Sequence, residues 1–297
     1  MWRSKLTQYR GKGGGSHQVR PWYPEGTVSQ SIFSFALAAY LAGTGLALLY
    51  LLQRQERVAR YARGATQVGW LLHTFSLVIW GIEIGRPPMG NFQEGVSLLV
   101  WVAVLFELWS ERQYRVPVLG AFVLPVVLAF GLSAATLPGE IRALPPALRS
   151  AWIGVHVTLA MLGIAAFVLN FAGSLMYLIQ ERELKSKRLG AFYYRLPSLE
   201  TLDRLTFRTL TLGFPFLTVS LILGVVWAKS AWGSLLAWDP LALFSLLAWL
   251  IYAATLGGRA VAGWRGRRAA YGAIVGFAVL LLTFGVGWLL PGRHITF

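Results

Sequence analysis

The chain contains four histidines, His17, His73, His156 and His294, and one short segment, "GVVWAKSAWGSLLAWDP" (224–240), that gathers Trp227, Trp232, Trp238 and Asp239. His156 lies in "SAWIGVHVTLAM", about one turn inside an apolar run, and His294 follows the last apolar run by a few residues in "LLPGRHITF". Imidazole nitrogens are good iron ligands, and indole rings are flat apolar faces with one polar edge. Two imidazoles from different helices can take the two axial positions of a haem iron, indoles can cover the porphyrin, and nearby Arg or Lys can pair with the propionates. Taken singly, either histidine reads first as an interfacial hydrogen-bonding residue, and the tryptophans first as an aromatic belt at the membrane surface. The belt reading covers Trp80, Trp101, Trp109, Trp249 and Trp288 well; it covers less well a cluster that ends in an acidic residue.

These residues need a scaffold that brings them to one side of a membrane. Of the 297 residues, 56% are hydrophobic and 13% charged, against about 25% charged in an ordinary globular domain. Apolar runs recur at about 29–53, 66–85, 95–110, 116–136, 150–180, 208–230, 240–257 and 270–290, each long enough to cross a hydrocarbon core of roughly 30 Å. The pattern predicts an all-α polytopic membrane protein with eight transmembrane helices. Net charge is +15, but the basic residues fall in short connections between apolar runs, which argues against a nucleic-acid partner. Connections 54–65, 111–115, 181–208 and 258–268 carry most of the 27 lysines and arginines. Those connections are expected to be cytoplasmic, which puts both termini, His156, His294 and the tryptophan segment on the outer face. Residues 1–27 form a polar, basic, glycine-rich tail without a signal-peptide pattern, and 28–297 a single membrane domain. With no cysteine, the chain forms no disulfide and offers no thiolate ligand.

His73 falls about seven residues inside the second run. At that depth it is expected to be neutral and bonded to a neighbouring helix, or to ligate something, which makes it a candidate second haem site. Glu107, near the inner end of the third run, is expected to reach the interface with its long side chain.

"WGSLLAWDP" resembles the tryptophan-rich signature of the haem-handling proteins of cytochrome c maturation, and the chain is most similar to their CcsA branch. Further likenesses are "RPPMGNFQEGVSLLVW" (86–101), through Pro88, Asn91 and Glu94; "LRSAWIGVHVTLAM" (148–161), with its external histidine; "LPSLETLDRLTFRTLTLGFPFLT" (196–218); and "FGVGWLLPGRH" (284–294), with a second external histidine. The resemblance implies that His156 and His294 are axial ligands of a haem b held at the outer face beneath Trp227, Trp232, Gly233, Trp238 and Asp239. It further implies a CcsB-like membrane partner, a bacterial cytoplasmic (inner) membrane location, and thioether attachment to the CxxCH cysteines of an apocytochrome c. Leu236, Leu241 and Ala242 depart from the signature, and Gly257 stands where relatives carry a membrane histidine. These departures keep two alternatives open: a HemX-like haem-sensing regulator of tetrapyrrole synthesis, and a non-catalytic membrane subunit that reuses the fold.

Overall fold

A computed structural model describes residues 27–136, 151–186, 194–232 and 240–289. Among these, eight helices are long and apolar enough to span a membrane. They are α1 (Val28–Gln53), α2 (Glu56–Ile84), α3 (Phe92–Tyr114), α4 (Gly120–Thr136), α5 (Ala151–Lys185), α6 (Leu199–Trp232), α7 (Pro240–Val261) and α8 (Arg267–Leu289). A single 3-10 turn, Pro117–Leu119, precedes α4. All eight expected spans are present.

Two helices start well before their apolar runs. α2 begins at Glu56 rather than near 66, and α6 at Leu199 rather than near 208. In both, the extra turns are amphipathic: Ala59 and Ala62 are buried while Arg57 and Arg60 face out, and Leu202 and Leu205 are buried while Arg204 faces out. A helix of this kind gains its packing from one stripe only, so its average hydropathy hides it. The supposed loop 54–65 therefore shrinks to two residues. Arg54 ends α1 in the left-handed region (φ 55°), its N–H bonded to Tyr50 O.

α3 is the centre of the bundle. It buries Gly95–Leu99, Val102–Val104 and Glu107 against α2, α4 and α5, whereas α1, α2, α7 and α8 each present large exposed apolar side chains such as Phe35, Ile82, Leu250 and Leu282. In a membrane protein such residues face lipid, and what holds helices together is close packing rather than exclusion of water. At the crossing of α5 and α6, Gly163 and Gly213 let the backbones meet. A methyl group on Gly163 would come within 3.0 Å of Leu217 N, and one on Gly213 within 3.0 Å of Gly163 O. Stacking of Phe167 on Tyr252 (3.7 Å between centroids) then ties α5 to α7.

Hydrogen bonds between neighbours define two ends. At one, Ser29 Oγ of α1 donates to Glu83 of α2, Arg86 pairs with Glu94 of α3, and His156 of α5 meets Ser220 of α6. At the other, Arg63 of α2 pairs with Glu111 of α3, and Arg259 of α7 with Asp203 of α6. These are called below the His156 end and the Arg63 end. The aspartate of the second pair is fully used: Arg259 donates to Oδ1 at 3.0 Å and Oδ2 at 2.9 Å, and Gly266 N donates to Oδ1 at 3.0 Å. One carboxylate thus fastens α6, α7 and the turn into α8.

Candidate functional site

His156 sits in the second turn of α5, half-buried against α6. Its Nδ1 lies 2.7 Å from the main-chain oxygen of Ser220 and 3.2 Å from Ser220 Oγ, and the Ser220 hydroxyl donates back to His156 O at 3.1 Å. A carbonyl oxygen can only accept, so Nδ1 carries the ring proton and Nε2 holds the basic lone pair. Metal-binding histidines are oriented in this way, one ring nitrogen donating to a carbonyl while the other ligates. Gly224, one turn beyond Ser220, makes room for the ring: a methyl group there would come within 2.8 Å of Cε1 and 3.1 Å of Nδ1. Ser220, Gly224 and Trp227 fall at i, i+4 and i+7, on one face of α6. Trp227 is 7% exposed.

The tryptophan-rich segment is therefore not wholly a connection between spans. Gly224 to Trp232 are the last turns of α6, and Pro240 opens α7, where its missing N–H costs nothing. Gly233, Trp238, Asp239 and His294 lie outside the described residues, as does the side chain of Trp232. The helix that leads to His294 is anchored at the same end as His156. Phe284 of α8 packs on Phe92 of α3 at 5.8 Å and on Phe130 of α4 at 5.2 Å.

Beside this lies the connection from α2 to α3. Asn91 caps α3, its Oδ1 accepting from Glu94 N at 2.8 Å. Glu94 reaches back to Gly90 N at 2.5 Å and Asn91 Nδ2 at 3.2 Å, an arrangement of capping-box type. Both Glu94 oxygens also accept from Arg86, at 2.8 and 2.9 Å, although the carboxylate is 1% exposed. The spacing of Pro88, Asn91 and Glu94 noted in the sequence thus has a local cause, and Arg86 is the member it did not single out. Thr158, two residues past His156, donates to Gly154 O at 2.8 Å and rests its Oγ1 3.5 Å from Met89 Sδ, which brings this connection against α5.

His73 is fully buried, and both ring nitrogens have partners: Tyr40 Oη at 3.3 Å from Nδ1 and Ser97 Oγ at 2.9 Å from Nε2. Phe33 covers the ring at 4.9 Å. This arrangement is the helix-bridging one of the two readings open to His73; iron ligation there would break one of those bonds. Two further expectations are corrected. Trp80 is 1% exposed and so belongs to the core rather than to an interfacial belt. Glu107 does not reach the interface either: it is 2% exposed, because Gly120 at the start of α4 closes over it. Gly257 is exposed and has nothing within 4 Å of where a side chain would start, so a histidine there meets no obstruction.

Residues 89–294 match the family model described as cytochrome C assembly protein. The chain is 34% identical over 294 residues to the "Cytochrome c biogenesis protein CcsA" of Synechococcus sp. (strain CC9605), covering 88% of this chain and 96% of that one. It is 31% identical over 286 residues to the protein of the same description from Guillardia theta, covering 90% and 94%. Among solved structures it is similar to "Cytochrome c Heme Lyase CcmF", with a TM-score of 0.67 at 21% identity over 92% of this chain; it spans 48% of that longer chain, and the likeness is one of fold. The matched residues include His156, its supports on α6 and the capped start of α3: the chain belongs to the cytochrome c assembly protein family and is of the CcsA type.

Proposed function

We propose that this protein is the haem-handling subunit of a membrane cytochrome c synthetase. It presents haem b at the outer face of a bacterial inner membrane, with both chain termini on that face. His156 and His294 serve as axial ligands beneath Trp227, Trp232, Gly233, Trp238 and Asp239. The observation that carries this reading is the Nδ1 anchor of His156 on Ser220 O, which leaves Nε2 as the basic nitrogen at the end of the bundle toward which α8 also runs. The donor set is suited to haem iron, since a neutral imidazole held through its other nitrogen is the common protein ligand.

Haem, as cargo, supplies the iron and the two vinyl groups that receive the cysteine thiols of the apocytochrome's CxxCH segment. The chain's own residues hold and orient. Ser220 O keeps the Nδ1 proton in place, so His156 approaches iron only through Nε2. Gly224 allows the ring to lie against α6 rather than stand off it. Trp227, buried one turn further on, gives the site an apolar wall, and the Arg86–Glu94 pair stiffens the neighbouring connection. With both thiols on the substrate, catalysis in this reading is mostly positioning. A CcsB-like membrane subunit completes the synthetase.

The test is a reduced-minus-oxidised absorption spectrum of the purified chain with a pyridine haemochrome assay, alone and with a co-expressed CcsB-like partner. A bis-histidine haem b signal that declines in His156→Gly and His294→Gly and partly returns with imidazole is expected. Equal haem in wild type and both variants would remove the axial pair.

A further inference from the structure

At the Arg63 end, one turn of α3 buries two polar atoms that have no hydrogen-bond partner among the described residues. They are Oε2 of Glu107 and Oγ of Ser110. Glu107 is 2% exposed and Ser110 1%. Three residues apart on a helix, they lie on one face, with Ser110 nearer the aqueous end. Oε1 of Glu107 is closed in by Gly120, where a methyl group would come within 3.0 Å of it, and Ala47 of α1 packs behind.

The charges around this carboxyl do not balance. Glu111, one turn on, is 5% exposed and its Oε1 accepts from Arg63 Nη2 at 2.6 Å and Nε at 3.2 Å. Glu111 and Arg63 are the charged groups that act on Glu107. Further out, α2 adds Glu56, and the end of α1 adds Tyr50 and Arg54. The 3-10 turn and α4 carry no titratable side chain. On α5, Tyr177 lies beside Glu181, Asp203 and Gly266. One guanidinium, already committed to Glu111, is left to serve two carboxylates. A buried carboxylate without hydrogen bonds is too costly to persist as an anion; it takes a cation or a proton. Among the described residues no group of three His, Asp or Glu side chains is placed to hold a metal ion.

We propose that Glu107 and Ser110 form a proton site that exchanges with the aqueous phase at the Arg63 end. Hydronium at the mouth beside Arg63, whose side chain is 39% exposed, gives up a proton and leaves as water. A water held between Ser110 Oγ and Glu107 Oε2, which have no partner among the described residues, accepts that proton while passing one of its own to Oε2, which becomes a carboxylic acid; the Ser110 hydroxyl orients the water, and release runs the same steps backwards. The protein thereby carries a protonatable group within the membrane, at the end opposite His156 and independent of whether haem is bound.

Infrared difference spectroscopy of the full chain in lipid nanodiscs, in H2O and D2O across a pH series, tests this. The expected result is a carboxylic-acid C=O band that shifts in D2O, is lost in Glu107→Gln, and exchanges at least several-fold more slowly in Ser110→Ala. A glutamate-specific ¹³C label on wild type assigns the band without relying on a variant that folds. No protonated-glutamate band at any pH, a band that survives Glu107→Gln, or one that never shifts in D2O would overturn the site. Unchanged exchange in Ser110→Ala would overturn the route through the water that this hydroxyl orients.

Discussion

His156 and Ser220 are 64 positions apart in sequence, and the imidazole Nδ1 of one lies 2.7 Å from the main-chain oxygen of the other. The bond joins the start of α5 to the last third of α6 and fixes which ring nitrogen bears the proton. It also makes the orientation of His156 depend on the α5–α6 crossing at Gly163 and Gly213, where the two backbones touch.

Gly224→Ala should disturb the imidazole without disturbing the fold at large. The added methyl would sit 2.8 Å from Cε1, and overpacking of this kind costs about 1–3 kcal/mol. We expect a several-fold fall in haem retained after purification and an altered low-spin signal by electron paramagnetic resonance. Gly154→Ala, where a methyl meets nothing within 4 Å, is the control and should behave as wild type.

Ser220→Ala removes the hydroxyl but keeps the carbonyl. Loss of a partner that only orients a ligand typically costs about 10–100-fold in affinity when the whole contact goes; here the main-chain bond persists, so the effect should fall near the lower limit. Haem titration of the variant against wild type measures it. A loss as large as that of His156→Gly would mean that the hydroxyl, and not the carbonyl, holds the ring.

Breaking the buried ion pair at the start of α3 should be costly. Arg86→Ala leaves Glu94, 1% exposed, without its counter-charge, and stranding a buried charge is worth about 3–5 kcal/mol. Glu94→Gln keeps most of the acceptor geometry toward Gly90 N and should lose less. Thermal unfolding in detergent, followed by circular dichroism, should rank Arg86→Ala below Glu94→Gln and both below wild type.

Asp203→Asn tests the other end. The amide oxygen can still accept from Gly266 N and Arg259 Nη1, but the amide nitrogen cannot accept from Nη2, so the bidentate pairing and the negative charge are lost. We expect faster proteolysis in the turn between α7 and α8, around Gly263–Gly266, with haem content within about twofold of wild type because the site lies at the opposite end. A collapse of haem content with an intact turn would show that the two ends are coupled through α6.

Much of this architecture is local in origin and so readable in one dimension. Eight apolar runs of sufficient length dictate eight helices, since hydrocarbon leaves each backbone N–H no partner outside its own segment. The capping of α3 by Asn91 and Glu94 is likewise written within four residues. His156 could be singled out because its type and depth are unusual, and Trp227 because of its neighbours in the signature. The amphipathic starts of α2 and α6 were not legible as helix, because only half of each surface is apolar and its worth depends on what packs there.

What tertiary structure alone decided is which polar groups meet. Nothing in the spacing of the chain pairs His156 with Ser220, Glu94 with Arg86 in a buried clamp, or His73 with Tyr40 and Ser97. Equally, the length of Glu107's side chain allows it to reach water, and only the closure of α4 at Gly120 prevents it. A sequence specifies a helix through contacts a few residues apart, but hydrogen bonds and burial between helices are set by their crossing points, where a glycine opposite a glycine determines how near two side chains can come.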